Sequence, residues 1–387
     1  MKYNNVETKK NNIFVNVLGI ISAGLLLFYL IFMWLHNRNW WSFLFIALYF
    51  AVFFFVSVII HELGHMVFGL KSGYKFLYFQ FLWFKIYKEN GKIKFKIENN
   101  SLLGQCLLTI PDKPVNDIKY RSYMRGGSLF NLFVFILSFL GLMLVTFLQK
   151  SVSYSLSIFS FINFYFFISN YIPLNIGGIY NDGLNAKLME EYDEVRFTIF
   201  NQLKVEEKLI SGAKVNEIGL DLIRNNNIET DFNFVHNYAF HYLETIYRLV
   251  NDMDEPFGLI DKHYKNRNRL PYIYQKQNLE LFLFHRLTAN LQFQYLLNDK
   301  KNAAYYKKPD KKNPIQSLDL LLIEYKNQKI DKKEIDDKIK SISNLIETSS
   351  AEYEKELYFK LIEITLNYVN GTYPKKEDNF ENTSTSQ

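Results

Sequence analysis

The sequence is short of cysteine and, over long stretches of its first half, of charged residues. Its single cysteine, Cys106, excludes an internal disulfide framework and a zinc knuckle built from four cysteines. A cleavable signal peptide is not evident either. The first apolar run, residues 13–35, is too long for the apolar part of a signal peptide, and no small-residue cleavage site follows it. We therefore expect this run to stay in the protein.

The composition changes near residue 180, from runs rich in Phe, Leu and Ile to a charged half rich in Lys and Asn. A helix needs about 20 apolar residues to cross a bilayer. Four runs reach this length, at residues 13–35, 42–70, 129–148 and 154–174. The sequence thus predicts an α-helical polytopic membrane protein whose membrane domain, residues 1–183, has about four transmembrane helices.

The positions of the basic residues indicate the orientation of these spans. Eleven Lys and Arg lie in residues 71–128, and three more, Lys2, Lys9 and Lys10, precede the first span. The opposite side has only Arg38 and Lys150. Because cytoplasmic connections are enriched in Lys and Arg, we expect both termini and residues 71–128 to be cytoplasmic. The second span should then run inwards and end near the cytosol.

The motif HELGH, residues 61–65, lies near the end of this second span. Residues four apart share a helical face, so His61 and His65 can bind one metal ion, with Glu62 beside it as a base. A catalytic zinc usually has three protein ligands. Asp182 is the only carboxylate between Tyr154 and Met189, and the fourth span brings it to the same side of the membrane. It is therefore the candidate third ligand, or alternatively the N-cap of a following helix.

Residues 76–98 predict a β-hairpin inserted between the second and third spans. Aromatic and β-branched residues dominate, Lys alternates with Ile and Phe after residue 91, and Asn90-Gly91 is a strong turn signal. We expect strands near 76–87 and 92–98. The first is apolar on both faces, which indicates association with the membrane. Its edge could hold an unwound substrate by backbone pairing, or the hairpin could only cap the spans.

Residues 184–374 predict a soluble, all-helical cytoplasmic domain. Apolar stripes at helical spacing include Leu188, Tyr192, Val195 and Ile199. Antiparallel helix pairs of the α-solenoid type are plausible, although no clean repeat period occurs. This domain could bind a protein partner or pack on the membrane domain. Residues 375–387 have the composition of a disordered tail. No feature of the sequence points to a nucleic-acid partner.

Four motifs in the first half of the chain resemble those of one enzyme family. They are HELGH (61–65), RGGSLFNLFVFILSFLG (125–141), Asn170 with Pro173, and Asp182-Gly183. Over roughly residues 40–190, this set resembles the site-2 protease family of intramembrane zinc metalloproteases. In that family a glycine-led turn precedes a central asparagine, as Gly126 and Gly127 precede Asn131 here. The membrane-associated hairpin is also similar to one found in the family.

The resemblance implies that His61, His65 and Asp182 bind one zinc ion per chain and that Glu62 is the general base. The expected substrate is a membrane-spanning or membrane-associated peptide, cleaved near the cytoplasmic side of the membrane. This chain itself is expected to be a multi-pass protein of the bacterial plasma membrane.

The resemblance also implies that Asn131 and Asn170 help to position the substrate or the oxyanion. For Asn131 a second interpretation stays open, namely a hydrogen bond between two transmembrane helices.

Two other classes of function are compatible with these residues. The chain could be a non-proteolytic membrane module that binds peptide or metal for transport, immunity or assembly. It could also be a metal-dependent hydrolase of lipids or small molecules. Glu62 favours an enzyme, because a pure binding protein has no need of a base.

Overall fold

A computed structural model describes most of the chain from residue 40 onwards. The described residues are 31, 35, 40–89, 92–97, 103–145, 150–176, 179–223, 234–270, 272–289, 310, 312–350 and 352–372. The predicted tail, 375–387, lies outside them, as does the predicted first span, 13–35, except for Ile31 and Leu35. The described residues are mostly helical, with a small antiparallel sheet.

Among the described residues, three helices are long and apolar enough to cross a membrane. They are α1 (Trp40–Lys71), α2 (Tyr120–Val145) and α3 (Lys150–Tyr171). Many large apolar side chains on their surfaces are exposed, including Leu48 and Leu140, as expected of helices that contact lipid. They correspond to the second, third and fourth predicted spans.

Helix α2 begins earlier than predicted, so Gly126 and Gly127 lie inside the helix and the expected glycine-led turn is wrong. The cause is close contact between two helices. A Cβ added at Gly64 would lie 2.5 Å from the carbonyl oxygen of Gly126, and one added at Gly126 would lie 2.7 Å from that of Gly64. Small residues allow membrane helices to approach in this way, and the contact sets α2 directly against the HELGH turn.

The segment between α1 and α2 forms a four-stranded antiparallel sheet, rather than the predicted two-stranded hairpin. Its strands are β1 (Lys75–Phe81), β2 (Phe84–Glu89), β3 (Lys92–Ile97) and β4 (Gly104–Thr109), in the order β3-β2-β1-β4.

The long first strand predicted for residues 76–87 is interrupted by a tight turn at Leu82, whose φ is +52°. The strands on either side of Asn90-Gly91 pair as predicted, with Glu89 opposite Lys92. The sequence therefore located the β2–β3 pairing correctly and missed the strands that flank it.

The chain forms two compact units, and the division falls after Ser211 instead of at the predicted boundary of 183/184. In the first unit, β5 (Asn175–Ile176) and β6 (Ile179–Tyr180) lead into α4 (Asp182–Glu191) and α5 (Asp193–Ile210). The apolar faces of α4 and α5 form one buried core with Leu108 of β4 and Tyr123 of α2. This shared core explains why residues 184–211 belong with the spans.

The second unit is helical throughout its described part. Its α-helices are α6 (Val215–Ile218), α7 (Leu220–Ile223), α8 (Phe234–Val250), α9 (Gly258–Lys265), α10 (Tyr272–Thr288), α11 (Pro314–Lys326), α12 (Lys332–Ser349) and α13 (Glu352–Val369). The apolar stripes of these helices form the core of the unit. Ile246, Phe284, Leu318 and Leu361 are examples of its buried side chains.

Candidate metal centre

One helix and the start of another bring three ligand atoms together. His61 and His65 lie one turn apart on α1, and their Nε2 atoms are 3.2 Å apart. Oδ2 of Asp182, the first residue of α4, lies 2.9 Å from Nε2 of His61 and 3.1 Å from Nε2 of His65. The three predicted ligands therefore form one group able to hold a metal ion.

The dimensions of this triangle fit zinc. Tetrahedral zinc with bonds of about 2.0–2.1 Å places its ligands about 3.3 Å apart, close to the observed edges of 2.9–3.2 Å. Gly127 leaves the space beside the triangle free, because a Cβ there would lie 2.6 Å from both Nε2 atoms. A mixed set of two imidazoles and one carboxylate is a common zinc donor set.

The other ring nitrogen of each histidine, Nδ1, is held by a hydrogen bond. Nδ1 of His65 lies 2.8 Å from the carbonyl oxygen of Tyr123, and Nδ1 of His61 lies 2.8 Å from Oδ1 of Asn131. Both acceptors require a proton on Nδ1, which leaves both Nε2 lone pairs free for a metal. Partners of this kind orient metal-binding histidines and raise their basicity.

Asn131 is fully buried and hydrogen-bonds across helices. These bonds fit the interhelical interpretation of Asn131, and its role towards substrate stays a prediction.

Asn181 and Gly183 place Asp182. Oδ1 of Asn181 accepts from the backbone N–H of Leu184 and caps α4, so the alternative role of Asp182 as N-cap is wrong. Nδ2 of Asn181 donates to the carbonyls of Ser169 and Ile172 at the end of α3.

Gly183 contacts the same helix end, since a Cβ there would lie 2.3 Å from the carbonyl oxygen of Tyr171. The Asp-Gly pair is therefore held against the end of α3.

Glu62 is held by the sheet. Its Oε2 accepts a 2.7 Å hydrogen bond from the backbone N–H of Cys106 in β4. Burial, with the nearby Glu62 charge, raises the pKa of the Cys106 thiol well above its usual range, so this cysteine is a neutral side chain and not a nucleophile. The glutamate is thus the group at this site suited to proton transfer.

Asn170 is not brought to the ligand triangle by its described hydrogen bonds. Its Nδ2 donates to the carbonyl of Phe166, one turn earlier in α3, and to Oγ of Ser169. Sequence reasoning missed the roles of Asn181 and of the β4 backbone. It also missed Asn163, a fully buried amide in α3 that contacts Asn131. An asparagine inside an apolar span was the available signal for Asn163.

The site is open on one side. The side chains of His61 and His65 are 8% and 10% exposed, whereas that of Asp182 is 25% exposed. The carboxylate is therefore the ligand most accessible to solvent, while the imidazoles are covered.

A scan against protein-family models and searches of curated proteins and of solved structures returned no match for this chain. Its chemistry is therefore inferred from the geometry of the site and from the motifs.

Proposed function

We propose that this protein is an intramembrane zinc metalloendopeptidase of the site-2 protease type. The observation that carries the proposal is the triangle of His61 Nε2, His65 Nε2 and Asp182 Oδ2, with Glu62 next in sequence to one ligand. Two histidines and a glutamate inside an apolar helix such as α1 are costly unless they serve a function.

The membrane placement follows from α1 and from the basic connections. His61 precedes the end of α1, Lys71, by ten residues, or about 15 Å along the helix. We propose that the connection between α1 and α2, residues 72–119, lies in the cytosol. The site then lies within the membrane, in the half of α1 that ends at the cytosol. We propose a multi-pass protein of the bacterial plasma membrane with cytoplasmic termini. The second unit would then be available to a cytoplasmic protein partner.

Glu62 is the proposed general base and acid. Zinc bound at the triangle would lower the pKa of a water ligand to about 7 and polarise the scissile carbonyl. Oε2 of Glu62 is anchored to the N–H of Cys106, so Oε1 is the oxygen placed to accept the proton. The same carboxylate then delivers the proton to the leaving amine.

The sheet restricts where substrate can pair. Strand β4 contacts Glu62, whereas β3 is at the opposite edge of the sheet, three strand spacings away. At about 4.8 Å per spacing, the hairpin edge lies about 14 Å across the sheet from β4. A substrate that paired with the hairpin edge, as the sequence predicts, would therefore lie about 14 Å across the sheet from the strand that contacts Glu62.

The opposite faces of the β2–β3 pair support membrane association. Ile93, Phe95 and Ile97 are exposed on one face, and Lys92, Lys94 and Lys96 alternate with them on the other. We propose that the apolar face lies on lipid and that the lysines face the headgroups and the cytosol.

The proposal is tested by hydrolysis in ¹⁸O-labelled water. Full-length protein in detergent, loaded with zinc, is incubated with a panel of single-span peptides, and the products are identified by mass spectrometry. We expect one ¹⁸O atom in the new carboxyl terminus with wild-type protein. Glu62→Gln should lower the rate by about 10²–10⁴-fold while zinc stays bound.

Other outcomes point to the other classes of function. Equal product with wild type and Glu62→Gln would refute the assigned base. Tight binding of peptides without cleavage would favour a binding module. Parallel incubation with phospholipid or short ester substrates tests for a metal-dependent hydrolase of non-peptide substrates. In cells, a proteomic comparison of wild type with Glu62→Gln would identify natural substrates.

A further inference from the structure

A chain of hydrogen bonds crosses all three apolar helices and ends at the imidazole of His61. Nδ1 of His61 lies 2.8 Å from Oδ1 of Asn131, and Nδ2 of Asn131 donates to Oδ1 of Asn163 at 2.9 Å. Nδ2 of Asn163 donates in turn to the carbonyl of Phe159 at 2.9 Å. Asn131 and Asn163 are both completely buried.

Backbone carbonyls fix the direction of this chain. A carbonyl can only accept, so the Phe159 carbonyl requires that Asn163 present its NH₂ group there and its oxygen to Asn131. The carbonyl of Ser57 accepts from Nδ2 of Asn131 at 3.2 Å and imposes the same polarity. Oδ1 of Asn131 must therefore face His61.

This polarity decides which nitrogen of His61 carries the proton. An oxygen facing Nδ1 stabilises the tautomer with a proton on Nδ1, which leaves Nε2 free as a metal ligand. If Asn131 were reversed, its NH₂ group would face Nδ1 and favour a proton on Nε2, where the metal would bind.

We propose that Asn163 is a positioning residue of the metal centre. It fixes the orientation of Asn131, and through Asn131 it holds His61 in the metal-binding tautomer. The inference rests on the proposed metal centre but not on peptide cleavage.

A purely structural role for Asn163 makes a different prediction. Buried asparagines often connect membrane helices, and removing such a connection would lower stability without a specific effect on metal affinity. If Asn163 acts through Asn131, the two residues must instead be coupled in zinc binding.

The test measures zinc affinity in full-length protein in detergent, by competition with a chromophoric chelator. The variants are Asn163→Leu, Asn131→Leu and the double variant. We expect Asn163→Leu to weaken zinc binding by about 10–100-fold and Asn131→Leu to weaken it at least as much. The double variant should bind zinc no more weakly than Asn131→Leu alone.

A conservative variant and a matched control separate positioning from folding. In Asn163→Asp, a neutral carboxyl group can accept from Asn131 and donate its O–H to the Phe159 carbonyl, so both hydrogen bonds are kept. The zinc affinity of this variant should therefore be within about threefold of that of the wild type. Ser160→Ala removes another buried polar group from the same helix and should leave zinc affinity unchanged. If Asn163→Leu does not fold, Asn163→Ala takes its place in the same set of variants, because it removes the same amide without added bulk.

Three results would overturn the proposal. One is wild-type affinity in a folded Asn163→Leu protein, and another is multiplied losses in the double variant. The third is the absence of zinc binding in the wild type, which would also remove the metal centre. Zinc binding with the expected coupling, but without cleavage of any peptide, would contradict the proposed function and leave this inference intact.

Discussion

A single methyl group added at Gly127 should destroy the metal centre. An ideal Cβ there lies 2.6 Å from Nε2 of both His61 and His65, and ordinary contact begins at 3.4 Å. Each imidazole would have to retreat by about 0.8 Å (3.4 − 2.6), whereas zinc–nitrogen bonds tolerate only about 0.2 Å. The rings can turn away at modest cost to folding, but they cannot then bind one ion together. Gly127→Ala should therefore weaken zinc binding by at least about 10–100-fold.

Gly141 provides the matched control in the same helix. A Cβ at Gly141 has only ordinary contact, 3.8 Å from Cδ1 of Leu156, and Ala favours a helix over Gly by about 1 kcal/mol. Zinc affinity of purified protein, together with thermal unfolding followed by circular dichroism, distinguishes the two variants. A folded Gly127→Ala protein with wild-type zinc affinity would refute the geometry described above. Equal losses in Gly141→Ala would attribute the effect to α2 as a whole.

Three further predictions concern the helix cap, the second unit and the sheet. Asn181→Ala removes the N-cap that holds the third ligand, Asp182, so zinc affinity should fall in the chelator assay. The control Asn313→Ala removes the N-cap of α11 and should leave zinc affinity unchanged. Burial lowers the pKa of His263 to about 3, so below about pH 6.5 the unfolded chain binds a proton at this imidazole and the folded chain does not. The free energy of unfolding should therefore fall by about 2 kcal/mol between pH 7 and pH 5. Thermal unfolding of His263→Gln should depend less on pH. A fluorophore attached at Phe95→Cys should emit at shorter wavelength in liposomes than one at Lys94→Cys, because only the first is on the face of β3 that we propose lies on lipid.

Each of these predictions can fail separately. Equal zinc affinity in the two cap variants would mean that the cap does not position the ligand. An unchanged pH dependence in His263→Gln would place the acid sensitivity elsewhere in the chain. Identical emission from the two labelled positions would contradict the placement of one face of β3 on lipid.

The ligand set was predictable because it depends on spacing and topology alone. His61 and His65 are four apart, so any helix brings them to one face. Asp182 follows a span that the basic residues predict to run in the same direction as the span with His61, so it was expected on the same side of the membrane without knowledge of the loop. The helical character of the second unit was predictable for a similar reason, since its apolar residues repeat at helical spacing.

Other features of the site and the sheet were not predictable. They depend on the rotation of one helix against another, on backbone dihedral angles, or on contacts between residues far apart in the sequence. The orientation of Asn131 towards His61 depends on how far α2 is rotated against α1. The turn at Leu82, with its positive φ in a residue other than Gly, carries no turn signal and divides an otherwise continuous apolar strand. The hydrogen bond from the backbone N–H of Cys106 to the Glu62 carboxylate joins residues that are 44 positions apart in the sequence.

The boundary between the two units also escaped the sequence. The stripe from Leu188 to Ile199 is apolar in the way expected of a soluble helical domain. In the structure it is divided between α4 and α5, which break at Tyr192 and pack on β4 and α2. An amphipathic pattern shows that a face is buried, but it does not show which partner covers it.

The most direct test of the proposed metal centre is the zinc content of full-length protein purified in detergent. We predict about one zinc per chain in the wild type and none in His61→Ala or Asp182→Ala, since each variant removes one of three ligands. No zinc in the wild type after loading would contradict the metal centre and favour a binding module. Zinc lost in His61→Ala but retained in Asp182→Ala would contradict the assignment of the third ligand.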